Sequence, residues 1–142
     1  MKKFTSVIRL SIAAVVAFVA ISFTSCGIAA DTIEKSVEEA NKACPLYVDE
    51  YTTCQRIYTS GNNIIYDYRT YPELIEIFPT VDYNECKNIH ISDLANAKIG
   101  NEELKLLLDL CVEAEYNIIY DYNDGMGNSF KVTITYDDIK KL

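Results

Sequence analysis

The six residues Asn-Ile-Ile-Tyr-Asp-Tyr occur twice in this chain, at 63–68 and at 117–122. In an extended strand alternate side chains point to opposite faces. The first copy therefore directs Ile64, Tyr66 and Tyr68 one way and Ile65, Asp67 and the following Arg69 the other. The second copy does the same with Ile118, Tyr120 and Tyr122 against Ile119 and Asp121. Each copy needs an apolar layer on one side only. The first copy follows a β-rich run and the turn residues Ser60-Gly61-Asn62, so it reads as the second strand of a hairpin. The second copy precedes Asp124-Gly125-Met126-Gly127 and a run in which Phe130, Val132 and Ile134 alternate with Lys131, Thr133 and Thr135. It reads as the first strand of another hairpin. A simple duplication would place both copies at the same position of their hairpins. The repetition is better read as two strands meeting one packing problem, with an approximate twofold arrangement of hairpins as the alternative.

Three helical stretches surround these strands. In "DTIEKSVEEANKACP", Ile33, Val37, Ala40 and Cys44 share a face, Asp31 and Glu34 form a capping pair, and Pro45 ends the run. The segment from about Asp82 to Ile99 reads as a helix stopped by Gly100. Asn101 then caps "EELKLLLDLCVEA", with Leu104, Leu107, Leu108 and Cys111 on one stripe. "ELIEIF" between two prolines is a short helix or an irregular excursion. Thr135-x-x-Asp138 opens a last helical turn. Segregated hairpins and helices predict an α+β fold: an antiparallel four-stranded sheet, made of the two hairpins, with helices packed on one face.

The chain opens on Lys2, Lys3 and Arg9, then an apolar-biased run of 14 residues from Leu10 to Phe23. That pattern describes an export signal; a membrane-crossing helix needs about 20 residues. The run closes on "FTSC", which resembles the lipobox of bacterial lipoprotein precursors, with Phe23 standing where leucine is usual. The resemblance implies cleavage after Ser25, a diacylglycerol on Cys26 and an acylated new amino terminus. Domain organisation follows: residues 1–25 a signal peptide, 26–30 a short tether, 31–142 one α+β domain. The tether Gly27–Ala30 spans about 14 Å at full stretch. It carries no charge, and displayed lipoproteins of this kind often carry an acidic run there. The expected location is the cell envelope, anchored to a membrane and facing the periplasm.

The mature part is similar to small uncharacterised lipoproteins of the Bacteroidetes type, through "ANKACPLYVDEYTTC", "GNNIIYDY" and "LLDLCVEAEYNIIYDY". That resemblance implies an α+β envelope domain and brings no activity with it.

Charge narrows the partners. The chain has 13 basic and 21 acidic residues. The leader holds three basic residues and no acidic ones, which leaves ten against 21 and a net charge of −11 in the mature chain. Such a surface repels nucleic acid and offers no polybasic patch to anionic lipid. Attachment to the membrane rests on the lipid.

Little else points to chemistry. Cys44, Cys54, Cys86 and Cys111 form no C-x-x-C pair, so redox-motif and zinc-ribbon spacings both fail. They are either buried thiols or, in an oxidising compartment, disulfides. Cys44 and Cys111 each stand near the C-terminal end of a helix expected to pack on the sheet, which makes Cys44–Cys111 the expected pairing among the three possible ones. His90 is the sole histidine and nothing near it in sequence supports a nucleophile–base pair; it reads as a surface or helix-face residue. "DYNDGMGNS" lacks the glycine at position six and the glutamate at position twelve that an EF-hand needs. No catalytic residue, metal ligand or cofactor is nominated. The expected function is a lipid-anchored, non-enzymatic interaction or assembly domain with an unidentified protein or glycan partner. The alternatives are an anchored binder of a small ligand or glycan, using tyrosine faces, and a hydrolase whose site is assembled from distant residues.

Overall fold

The computed structural model describes residues 29–142. The expected signal peptide and Cys26, the expected lipidation residue, lie outside the described residues. Helix α1 runs Ala29–Asn41, so Ala29 and Ala30 are already helical and Asp31 lies in the first turn rather than at the cap. Its buried face contains Ile33, Val37 and Ala40. A turn holding Cys44 leads to strand β1, Leu46–Tyr47. Strands β2 (Thr52–Ser60) and β3 (Asn63–Thr70) form the first hairpin. Its two-residue turn has Gly61 at φ 57°, the left-handed geometry that such tight hairpins require at their first central position.

Helix α2 (Pro72–Ile77) and a 3-10 turn (Phe78–Thr80) follow, so the proline-bracketed segment is helical. Helix α3 spans Tyr83–Ala97, capped by the Asp82 carboxylate, which accepts from the Glu85 N–H at 3.1 Å. Helix α4 spans Glu102–Ala114, capped by Asn101, whose side chain accepts from the Leu104 N–H at 3.0 Å. Glu115 closes α4 in the left-handed conformation, and the Tyr116 N–H returns to the Cys111 carbonyl at 2.8 Å. That reversal turns the chain directly into β4. Strands β4 (Asn117–Asn123) and β5 (Ser129–Ile134) make the second hairpin. The five-residue helix α5 (Tyr136–Lys140) starts in a capping box between Thr135 and Asp138.

The sheet corrects the sequence-based expectation. It has five strands in the order β1-β2-β3-β4-β5, and it is mixed rather than antiparallel. β3 and β4 pair in parallel, and the two copies of the repeated hexapeptide lie side by side in register: Asn63 beside Asn117, Ile64 beside Ile118, and so on to Tyr68 beside Tyr122. The other pairings are antiparallel. The physical reason lies in the connection. Parallel neighbours need a long crossover, and the helical segment from α2 to α4 supplies one. The fifth strand, β1, is two residues long and pairs only Leu46 with Cys54 and Tyr47 with Thr53.

Strand parity is as expected. Ile64, Tyr66, Tyr68, Ile118, Tyr120 and Tyr122 are all buried, as are Val132 and Ile134 of β5. They meet Ile33 and Val37 of α1, Leu94 of α3 and Leu104, Leu107 and Leu108 of α4 in one core. The tyrosines pack across the central strands, with ring centroids 5.3 Å apart for Tyr66–Tyr120 and 5.2 Å for Tyr68–Tyr122. The opposite-parity residues Ile65, Asp67, Ile119 and Asp121 are only half-buried. Ile118 is 2% exposed, so Ile118→Ala is expected to destabilise by about 2–5 kcal/mol through lost burial and a cavity. Ile119→Ala is expected to cost less than half as much. Urea denaturation of both variants checks this, and equal costs would contradict the assignment of faces.

Candidate functional site

Polar groups cluster in two places: a pair inside the core, and the face of the sheet turned away from the helices.

On α3, Cys86, His90 and Leu94 recur every four residues and form its buried stripe. His90 is 0% exposed, so of the two expected placements, surface or helix face, it takes the helix face, on the buried side. Its Nδ1 lies 2.8 Å from the Cys86 carbonyl, and its Nε2 lies 2.8 Å from the Tyr122 hydroxyl. A carbonyl only accepts, so Nδ1 carries the proton, Nε2 is the lone-pair nitrogen, and the Tyr122 O–H donates to it. The ring also packs 4.7 Å from the Tyr120 centroid. Burial pushes the His90 pKa down to about 4, against the smaller opposing effect of the Cys86 carbonyl. Burial likewise pushes the Tyr122 and Tyr120 hydroxyls well above their usual range. Both ring nitrogens are engaged, so this imidazole is a structural hydrogen-bonding element. The four-residue spacing of Cys86, His90 and Leu94 is the sequence signal that could have revealed its burial.

The second arrangement is a set of rows running across the strands. Register places Arg56, Asp67, Asp121 and Lys131 side by side on β2, β3, β4 and β5. Two carboxylates therefore sit at the centre with a cation on each flank. Arg56 Nε contacts Asp67 Oδ2 at 3.2 Å, and Asn123 Nδ2 donates to Asp67 Oδ1 at 2.6 Å. Burial raises the Asp121 pKa; neighbouring Asp67 adds to that rise, while Lys131 opposes it. Asp121 Oδ1 is buried without a hydrogen-bond partner. One row over, Tyr58, Ile65, Ile119 and Thr133 are aligned and half-buried. The Arg56 guanidinium lies 4.1 Å from the Tyr58 ring centroid and joins the two rows. On the other side Arg69 and Asn123 are neighbours, with Arg69 Nε donating to Asn123 Oδ1 at 3.2 Å. Gly125 packs against that guanidinium so closely that a Cβ there would stand 2.5 Å from it.

The remaining candidates fall as follows. The Asp124 carboxylate is engaged by its own turn, accepting from the Met126 N–H at 2.7 Å and from Asn128 Nδ2 at 2.8 Å. The loop is a hairpin turn. A surface concavity of about 500 Å³ lies between this loop and α2, lined by Pro72, Ile75, Glu76, Pro79 and Asn128 among others. No tyrosine of the stack lines it. Cys86 and Cys111 are fully buried, and Cys44, Cys54, Cys86 and Cys111 are all free thiols. Cys44 Sγ lies 3.9 Å from Cys54 Sγ. Among the described residues no cluster of three or more His, Cys, Asp or Glu could hold a metal ion, and no helix is long and apolar enough to cross a membrane.

No protein-family model matches the chain, and none of the curated proteins is a significant match. The fold is similar to that of a crystal structure from Pseudomonas aeruginosa, a protein provisionally described as secreted. The TM-score is 0.57 at 15% sequence identity, covering 78% of this chain and 92% of that one. The likeness is one of fold.

The buried imidazole makes stability depend on pH. The unfolded chain takes up a proton near pH 6.5, whereas the folded chain resists until about pH 4. The stabilisation from a neutral His90 is therefore fully present above about pH 6.5 and lost as pH falls toward 4. The loss is on the order of 3 kcal/mol across that window. Nitrogen NMR of the sole imidazole checks it: the Nδ1–H tautomer is expected to persist to pH 5, and protonation near pH 6.5 in the folded chain would contradict the assignment.

Proposed function

We propose that this chain is a lipid-anchored cell-envelope domain that acts by protein–protein interaction rather than by catalysis. The supporting observation is the open sheet face. It carries an apolar row beside a charge-paired row, and it has one central carboxylate oxygen without a hydrogen-bond partner. Such a mixture of aromatic, aliphatic and arginine side chains suits a protein surface.

Two further points favour a face over an edge or a pocket. At one edge β1 covers Thr53 and Cys54 of β2, and Asn41 Oδ1 accepts from the Ile57 N–H at 2.8 Å, so that donor is taken. At the other edge the Tyr83 hydroxyl accepts from the Thr133 N–H at 3.1 Å and occupies a donor that an added strand would need. The glycan reading loses its main argument, because the tyrosine rings expected to stack on a sugar are packed in the core. The hydrolase reading loses its base, because both nitrogens of His90 are engaged.

The anchor rests on the sequence pattern that ends in "FTSC". Cys26→Ala is expected to abolish incorporation of a fatty-acid analogue and to release the protein from the membrane fraction. Continued labelling and membrane retention would overturn the lipoprotein reading.

The surface is tested by placing a photo-crosslinking residue at Ile119 in the full-length chain expressed in cells. A discrete crosslinked product is expected, about tenfold weaker when Arg56→Glu and Lys131→Glu are combined, as follows from losing about 1.4 kcal/mol of charge pairing. A crosslinker at Ile99, 77% exposed at the end of α3, serves as the control. Equal products from both sites, or no effect of the charge reversals, would contradict docking at the sheet face.

A further inference from the structure

The first helix delivers one thiol onto another. After α1 ends at Asn41, its side chain accepts from the Ile57 N–H of β2 at 2.8 Å. That bond fixes the end of the helix against the strand just beyond an irregularity in the β2–β3 pairing, between Cys54 and Arg56. The chain then turns through Cys44 and reaches β1, where Leu46 pairs with Cys54. The two ends of the segment are thereby held, and Cys44 Sγ rests 3.9 Å from Cys54 Sγ. Cys54 is 0% exposed, whereas Cys44 is half-buried and reaches solvent.

We infer that Cys44 and Cys54 form a redox-sensitive dithiol that closes to a disulfide and clamps the loop and edge strand β1 onto the sheet. The sulfurs need to approach by about 2 Å to reach bonding distance, a shift within reach of rotation at the Cys44 side chain. Burial raises the pKa of both thiols, more so for Cys54, so Cys44 is the one placed to react first. The oxidant is a disulfide-bearing molecule or oxidoreductase. The Cys44 thiol gives up its proton and, as a thiolate, attacks one sulfur of that disulfide; the other sulfur leaves and takes up that proton through solvent, and Cys44 is joined to the oxidant. Cys54 then gives up its proton and attacks the Cys44 sulfur. The mixed bond breaks, the released sulfur takes up the Cys54 proton, and the oxidant is left with two thiol groups, having gained the two electrons that the protein lost. The Cys44–Cys111 pairing expected from helix ends remains its competitor, but the 3.9 Å separation favours Cys54.

Peptide mapping of the full chain, before and after treatment with oxidised glutathione, tests this. Cleavage at Lys42 and Arg56 leaves both cysteines in one peptide, and a second cut after Glu50 divides it. After oxidation the two halves are expected to stay joined, lighter by two hydrogen atoms and resistant to alkylation, and to separate on reduction. Before oxidation Cys44 is expected to alkylate at least about tenfold faster than Cys54, in line with its access to solvent. In Cys44→Ser, Cys54 is expected to remain a thiol that alkylates only when the chain unfolds. Recovery of Cys44 joined to Cys111, or of both Cys44 and Cys54 as alkylated thiols after oxidation, would overturn the pairing.

Discussion

The structure depends on the parallel, in-register contact between the two copies of one hexapeptide. That contact sets identical side chains at the same height on neighbouring central strands. On the buried face this is favourable, since isoleucine meets isoleucine and tyrosine rings stack across the strands. At the start of the ladder the two asparagines bond directly, Asn117 Nδ2 to Asn63 Oδ1 at 3.1 Å. On the open face the same rule creates a conflict, because it sets Asp67 beside Asp121, and like charges on neighbouring strands repel. The flanking strands β2 and β5, with Asn123 of β4, resolve it. Arg56 and Asn123 engage Asp67, while Lys131 stands opposite Asp121. The charged row is therefore a consequence of repeating a strand sequence in parallel.

The same contact explains the helices. Two parallel neighbours cannot be joined by a turn, so the chain leaves β3, crosses through α2, α3 and α4, and returns to start β4 at the level where β3 began. The Asn117 N–H bonds to the Asn62 carbonyl at 2.8 Å, which sets that level. The crossover covers the tyrosine face. It also brings α3 over Tyr120 and Tyr122, where His90 satisfies the Tyr122 hydroxyl. A buried phenol needs a partner, and a neutral imidazole inside the core supplies one without introducing a charge.

What could be read in the sequence was what local periodicity encodes. Alternation identified the buried faces of β3, β4 and β5. Gly61 and the Asp124–Gly127 segment marked the turns, and Asp82, Asn101 and Thr135 marked helix starts. The union of the hairpins was not legible, because both an all-antiparallel and a mixed arrangement satisfy the same alternation. β1 was missed because two residues carry no period. The burial of His90 was not legible because α3 is polar overall, and its stripe of Cys86, His90 and Leu94 has a polar member at its centre. The expected signal peptide and Cys26 lie outside the described residues. Cys44 was assigned to the end of a helix, but α1 stops three residues earlier, which swings its thiol toward Cys54 instead of leaving it on the helix stripe.

These constraints bear on where function can reside. The groups with the greatest chemical potential, an imidazole, four phenols of the stack and two fully buried thiols on α3 and α4, are sealed in the core and neutral at ordinary pH. Their raised or lowered pKa values all have burial as the leading cause. Catalytic groups instead combine a shifted pKa with access to a substrate. The reachable groups lie in two places: the rows of the open sheet face, and Cys44 at the loop that leads into β1. Both adjoin β2, since Arg56 belongs to the open-face row and Cys54 to the buried face two residues before it. Fixing the loop to Cys54 would stiffen the strand segment that presents Arg56. In this fold the proposed redox event at the edge of the core and the proposed recognition at the sheet face would therefore be joined through one short stretch of backbone.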